Sequence, residues 1–260
     1  MYATERQRLI EQIVDTDGRV VVVELAERFG VTTETVRRDL AFLERSGLVR
    51  RVHGGAVSRN RASTVEPSIA ERAARGSSAK EAIARAAGEL LAEGFSGSVY
   101  LDAGTTTAAL AHLLAQRTHT AHQLEIVSHS MTAAQILAGV PSLGLTAIGG
   151  RVRGLTAAAV GAQTVEAISR LRPDIAFVGT NGIAASFGLS TPDPDEAAVK
   201  RAIVAAARRV VVLADAEKFD AELLVSFASL DSVDVLITDA PPGGALAAAL
   251  AESDVEVVIA

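Results

Sequence analysis

Two groups of residues in this chain have types and spacings suited to chemistry. The first lies between Val20 and Ala56. Thr33, Thr35, Arg37 and Arg38 fall opposite Val36, Leu40 and Leu43, which recur at i, i+4 and i+7. A helix packed through one apolar stripe, with Thr and Arg on its other face, is what reading base edges in a major groove requires. Arg50, Arg51 and His53 follow, with Gly54–Gly55 as a turn. A basic hairpin of this kind suits a phosphate backbone. The second group sits where short apolar runs end. Asp102 and Gly104 precede Thr105, Thr106 and Thr107, and Ser128, His129 and Ser130 follow Val127. Gly149, Gly150 and Arg151 follow Ile148, Gly179 to Gly182 with Asn181 follow Val178, and Asp215 with Lys218 follows Leu213. Glycine and hydroxyls at a helix start offer free N–H groups, donors and a favourable dipole, the makings of a phosphate cradle. Singly, such hydroxyls are caps, Gly-Gly is a turn and Asp215–Lys218 is a surface pair. Five polar strand ends together point to one cleft for an oxygen-rich anion.

The elements that must position these groups are legible. Gly30 suits the left-handed residue that ends a helix, and Thr32 suits the cap of the next. Thr4 and Gln7 form a capping-box pattern before Leu9, Ile10, Ile13 and Val14, which predicts a first helix. Residues 1–57 therefore read as three helices and a wing, a winged helix–turn–helix. Residues 58–76 read as a polar linker, with a short helix near Ile69–Ala74. From 77 to 260, helical stripes alternate with apolar runs at Val99–Leu101, Leu124–Val127, Leu143–Ile148, Ile175–Val178, Val210–Leu213, Val235–Ile237 and Val255–Ile259. Continuous β-branched runs between helices predict an α/β domain with a mostly parallel sheet covered on both faces. In such folds ligands bind at the carboxyl ends of the strands.

Charge and composition narrow the function classes. From Thr35 to Arg61 seven arginines face only Asp39 and Glu44, a local excess of +5 in a chain of net charge −6. A basic patch on an acidic protein is directional, and it favours double-stranded DNA as a partner. Aromatic residues make up 3% of the chain, too few for a single-strand stacking surface. The absence of cysteine excludes disulfides, thiolate nucleophiles and Cys-ligated zinc. His112, His119 and His122 lack metal-ligand spacing, no nucleotide-binding glycine motif occurs, and no cofactor is expected. The charged start and the lack of any apolar run near ~20 residues predict a soluble, cytoplasmic protein away from the membrane.

ELAERFGVTTETVRRDL with RRVHGGA resembles the N-terminal module of the DeoR family of bacterial transcriptional regulators. LDAGTTT, Gly149–Arg151, VGTNGI and VVLADAEKF resemble that family's effector domain, in the same order. The resemblance implies a repressor whose C-terminal domain resembles ribose-5-phosphate isomerase and CoA transferases in fold and senses a phosphorylated sugar. It places Asp102, Gly104, Thr105, Thr106, Thr107, Gly149, Gly150 and Arg151 in the effector pocket, with Asn181, Glu196, Lys200, Asp215 and Lys218 on its other side. Two departures bear on the effector. Ser128-His129-Ser130 stands where the family has Thr-Asn-Ser, and Asp215-Ala216-Glu217-Lys218-Phe219-Asp220 where it has Asp-Ser-Ser-Lys-Phe-Gly. MYATERQ and VTTETVRRDL resemble repressors of fructose-utilisation operons, which implies fructose 1-phosphate. One winged module reads a short half-site, so a homo-oligomer, dimer or tetramer, is expected. The competing reading is an isomerase or CoA-transferase-like enzyme with a DNA-binding appendage, in which Asp102, Glu196 or Asp215 supplies a general base.

Overall fold

The computed structural model describes residues 2–17, 19–52, 54–58, 63–64, 66–91, 95–116 and 124–260, with the backbone alone at 15–17, 19, 50, 52 and 58. The chain divides into two compact units, Met1–Val65 and Glu66–Ala260. The expected linker residues from 66 onward lie in the second unit, where the Ile69 N–H donates to the Leu155 carbonyl at 2.9 Å.

The first unit comprises α1 (Ala3–Asp17), β1 (Arg19–Val21), α2 (Val22–Phe29), α3 (Thr33–Arg45), β2 (Val49–Val52) and β3 (Gly55–Ser58). Gly30 ends α2 at φ +63°, and the Thr32 side chain accepts from the Thr35 N–H at 3.2 Å to start α3. Ile10, Val14, Leu25, Val36, Leu40, Leu43 and Val49 share one buried cluster. The strands pair antiparallel in the order β1-β3-β2. The capping box expected of Thr4 and Gln7 does not form. α1 begins at Ala3, so Thr4 lies inside its first turn, and the Gln7 amide donates instead to Asp39 at 2.9 Å. Gly55 lies in β3 rather than in the turn. A β-carbon there would overlap the Val20 carbonyl, because β1 passes directly behind it.

The second unit runs α4 (Ile69–Ala74), α5 (Ser77–Glu89), β4 (Gly97–Leu101), α6 (Thr105–Gln116), β5 (Leu124–Ser128), α7 (Met131–Leu137) and β6 (Leu143–Ala147). It continues through β7 (Arg151–Arg153), β8 (Ala158–Val160), α8 (Ala162–Ser169), β9 (Ile175–Gly179), β10 (Gly182–Ala184), β11 (Gly188–Thr191) and α9 (Pro194–Ala206). It closes with β12 (Val210–Leu213), β13 (Val225–Ala228), β14 (Val235–Thr238), α10 (Gly244–Glu252) and β15 (Glu256–Ile259). The main sheet has the order β15-β14-β12-β9-β4-β5-β6, with every pair parallel. Alternate residues feed opposite cores. Val99, Leu101, Val211 and Leu213 pack with α5, α6 and α7, while Tyr100, Val210 and Val212 pack with α8, α9 and α10. The sheet is therefore the middle of three layers, buried on both faces as the continuous apolar runs predict. Strand order reverses at β4, which has β5 on one side and β9 on the other. That fork is the topological switch point. The β7–β8 hairpin and the antiparallel β10-β11-β13 sheet are additions that the sequence reading did not anticipate, since strands of three or four residues carry too little periodicity.

Candidate functional site

On the first unit, Arg37 and Arg38 stand clear of the α3 core stripe, their side chains 56% and 80% exposed. Thr33 and Thr35 are half-buried at the margins of that face, and the Thr35 hydroxyl shares a 2.9 Å hydrogen bond with Thr32. Asp39, one of the two acids in the basic stretch, is not on the surface. It is buried beneath α3, where the Arg6 Nε donates to its carboxylate at 2.6 Å. The Glu44 carboxylate accepts from the Arg51 N–H at 2.9 Å and ties α3 to the wing. The acid on the open face is instead Glu34, 3.8 Å from Arg37 and 3.6 Å from Arg38. Arg51 is exposed, and Arg50 lies in β2 opposite Val57. His53, Arg59 and Arg61 lie outside the described residues, as do His119 and His122.

On the second unit, the polar strand ends share the carboxyl edge of the sheet, and the innermost meet at the fork. Asp102 follows β4 and is fully buried. Its carboxylate accepts from the Ala103 N–H at 2.8 Å, from the Gly179 N–H at the end of β9 at 2.9 Å, and from the Lys200 ammonium. Lys200 reaches the fork from α9, also donates to the Gly179 carbonyl at 2.9 Å, and lies 5.6 Å from the Phe227 ring centroid. His129 follows β5, with Nδ1 3.0 Å from the Tyr100 hydroxyl and Nε2 3.6 Å from Asp102. Burial pushes the His129 pKa down, Asp102 and Glu196 draw it back up, and Lys200 adds to the fall. Burial, with Asp102 behind it, holds the Tyr100 hydroxyl well above its ordinary range.

Around this centre, the Ser128 hydroxyl donates to the Leu101 carbonyl at 2.7 Å and accepts from the Ser130 N–H at 3.1 Å, bracing the β4–β5 ends. α6 starts at Thr105, and the Thr107 hydroxyl donates to the Gly104 carbonyl at 3.1 Å. The hydroxyls of Thr105 and Thr106 have no partner among the described residues. Asn181 is half-buried, its N–H bonded to the Ser190 carbonyl at 3.1 Å. Gly149 and Gly150 are exposed at the outer edge, and Arg151 turns to Asp195 rather than to Asp102. Glu196 is buried and accepts from Thr156 and, at 3.2 Å, from Arg153. Asp215 caps the turn that carries Lys218, accepting from the Glu217 N–H at 3.2 Å, with the Lys218 ammonium 3.8 Å away.

Two residues escaped the sequence reading. Arg153 pairs with Glu66 at 2.6 Å and Asp193 at 3.0 Å as well as Glu196. Lys80 is buried, and its ammonium donates to the Arg72 carbonyl at 2.5 Å and to the Arg75 carbonyl, closing α4. Burial pushes the Lys80 pKa down, and Asp215 opposes that shift most strongly. A signal for Lys80 existed, since it sits on the stripe with Ile83, Ala84 and Ala87, where a cation has to find a partner. Among the described residues no cluster of His, Cys, Asp and Glu forms a metal site.

A model of the DeoR-like helix-turn-helix domain matches residues 6–62, and one of the DeoR C-terminal sensor domain matches residues 75–240. The chain belongs to the DeoR family. The glycerol-3-phosphate regulon repressor of Escherichia coli K12 is 34% identical over 93% of this chain and 93% of that protein. The FruR regulator of Bacillus subtilis is 34% identical over 92% of each chain, and the putative aga operon transcriptional repressor of E. coli O157:H7 is 32% identical over 98% of this chain and 93% of that one. The structure of ribose 5-phosphate isomerase A from Methanocaldococcus jannaschii is 19% identical over 54% of this chain and 53% of that one, with a TM-score of 0.38. That likeness is too distant to argue from, and the fold class rests on the helix–turn–helix unit and the parallel sheet themselves. This DeoR-family chain is a DNA-binding transcriptional regulator. Among the described residues no helix is long and apolar enough to cross a membrane.

Proposed function

We propose that this DeoR-family protein is a repressor of a carbohydrate-utilisation operon and leaves its operator when a phosphorylated sugar binds its second unit. The observation that carries the reading is the convergence of Asp102, His129 and Lys200 at the sheet's switch point, in a chain whose first unit presents Arg37 and Arg38 on an open helix face. On the DNA side, α3 lies in the major groove. Arg37 and Arg38 reach bases and phosphates, Thr33 and Thr35 line the margins, and the wing with Arg50, Arg51 and His53 follows the backbone. On the effector side, Lys200 and Asp102 bind sugar hydroxyls. Thr105, Thr106 and the N–H groups at the start of α6 take the phosphate, with Lys218 as a point charge. Asn181, Glu196 and Asp215 complete the hydroxyl contacts. Gly149, Gly150 and Arg151 form the outer rim. Two such chains read the two half-sites of an operator.

The panel begins with fructose 1-phosphate, which the resemblance to repressors of fructose-utilisation operons implies, and adds glycerol 3-phosphate, for which the glycerol-3-phosphate regulon repressor of E. coli is named. Calorimetry of each with the full chain, with and without its operator duplex, tests the reading. The coupling is reciprocal and typically ~1–3 kcal/mol, so operator weakens effector binding by the same factor as effector weakens operator binding. Thr105→Ala and Lys218→Ala should still bind DNA and lose the response. Equal effector affinity with and without DNA would reject the sensor.

A further inference from the structure

We propose that Glu34 reads a cytosine in each operator half-site by accepting a hydrogen bond from its N4 amino group. The proposal rests on the reading of α3 as the helix that enters the major groove. Glu34 is the second residue of α3, and its side chain is 61% exposed. Glu34, Arg38, Ala41 and Arg45 recur at i, i+4, i+7 and i+11, which centres them on the face opposite buried Val36, Asp39, Leu40 and Leu43. Recognition helices present their first turns to base edges, so Glu34 points where sequence is read.

A carboxylate on that face is unfavourable against phosphates and against the acceptor atoms of guanine. It can only accept hydrogen bonds, so the groove must offer it a donor. Cytosine N4 and adenine N6 are the candidates, and adenine places the N7 acceptor beside its donor, where it repels the second carboxylate oxygen. Cytosine has no acceptor of its own on that edge. Its partner guanine presents O6 and N7, the preferred target of arginine. Glu34 and Arg38 stand 3.6 Å apart on one face, an acceptor beside a donor fork. That arrangement mirrors a C·G pair, the amino donor of cytosine beside the twin acceptors of guanine. In the free protein Arg37 and Arg38 occupy the carboxylate from either side, and docking exchanges those weak exposed pairs for the base contacts.

The test selects sequences from a library of randomised duplexes with the full-length protein and with Glu34→Ala and Glu34→Gln. The wild-type motif should hold one cytosine in each half-site. In Glu34→Ala that column should relax by about 5- to 150-fold while the other columns persist, as expected for loss of one base contact. Glu34→Gln should move the same column toward adenine, because an amide pairs with N6 and N7 together. Affinity of Glu34→Ala for an unselected duplex should rise, since a charge facing the phosphates is gone. An unchanged motif in both variants, or uniform weakening of every column, overturns the proposal and leaves Glu34 as a helix-start acid favoured by the dipole. If the wild-type protein enriches no sequence, the placement of α3 in the groove fails first, and this inference fails with it.

Discussion

Lys200 donates its ammonium to the Asp102 carboxylate at the fork between β4 and β9, with side chains 6% and 0% exposed. The pair links α9 to the sheet's switch point across 98 residues of chain. Ions buried this deeply are expensive to desolvate, and the Gly179 N–H, the Ala103 N–H and the Gly179 carbonyl supply the further hydrogen bonds that make the arrangement tolerable.

Breaking that pair from one side leaves an uncompensated buried charge. Lys200→Met should destabilise the second unit by about 3–5 kcal/mol, and Asp102→Asn combined with Lys200→Met should recover part of the loss. A double-mutant cycle from urea denaturation gives the coupling. Additive losses would show that the two groups do not stabilise each other.

His129 links stability to pH. Burial lowers its pKa in the folded chain, so the folded state takes up a proton less readily than the unfolded chain, whose histidine titrates near ~6.5. The contribution is present above ~6.5 and is lost as pH falls through that value toward the folded one. Asp102, Lys200, Glu196 and the Tyr100 hydroxyl face the ring. His129→Asn should flatten this part of the stability profile between pH 7.5 and pH 5, measured by denaturant melts at each pH. A variant profile parallel to wild type would place the acid sensitivity elsewhere.

Two ways of losing DNA binding should separate. Asp39→Ala removes the buried carboxylate that pairs with Arg6 and accepts from Gln7, and should lower DNA binding by destabilising the first unit, by about 3–5 kcal/mol. Arg37→Ala and Arg38→Ala leave the core intact and should each weaken operator binding by about 1–3 kcal/mol with an unchanged melting curve. Circular dichroism melts beside gel shifts distinguish the cases. A folded Asp39→Ala protein at wild-type stability would contradict the burial argument.

Arg51→Ala should reduce the salt dependence of binding. Each phosphate neutralised contributes a slope of about −0.9 in log affinity against log salt. Arg51 is exposed on the wing, so its loss should make the slope shallower by about one unit on every DNA sequence tested. An unchanged slope would remove the wing from the phosphate backbone.

Gly55→Ala should disrupt the wing without touching a basic residue. The added β-carbon collides with the Val20 carbonyl, which is backbone and cannot rotate aside. Hydrogen exchange at Val57 should accelerate, since its strand pairs with both β1 and β2. Full protection retained in the variant would show that β1 can shift.

The sequence by itself determined the local structure. Gly30 and Thr32 announce the turn between α2 and α3 because a left-handed φ and a side-chain cap are properties of single residues. The Val36–Leu40–Leu43 stripe and the β-branched runs announce a buried helix face and buried strands because their periods span a few neighbours. The polar residues at strand ends were legible for the same reason. Only the tertiary structure decided which of them meet. Spacing along the chain carries no information about partners 77 or 98 residues away, so the bonds from Asp102 to Gly179 and Lys200 had to wait for strand order. Asp39 enters the sequence reading only as one of two acids in the charge balance of the basic stretch. Its burial depends on α1 crossing beneath α3 and bringing Arg6, which sits 33 residues earlier. Arg153 and Lys80 stayed hidden likewise, since their partners Glu66, Asp193 and the end of α4 come together only when the three layers pack.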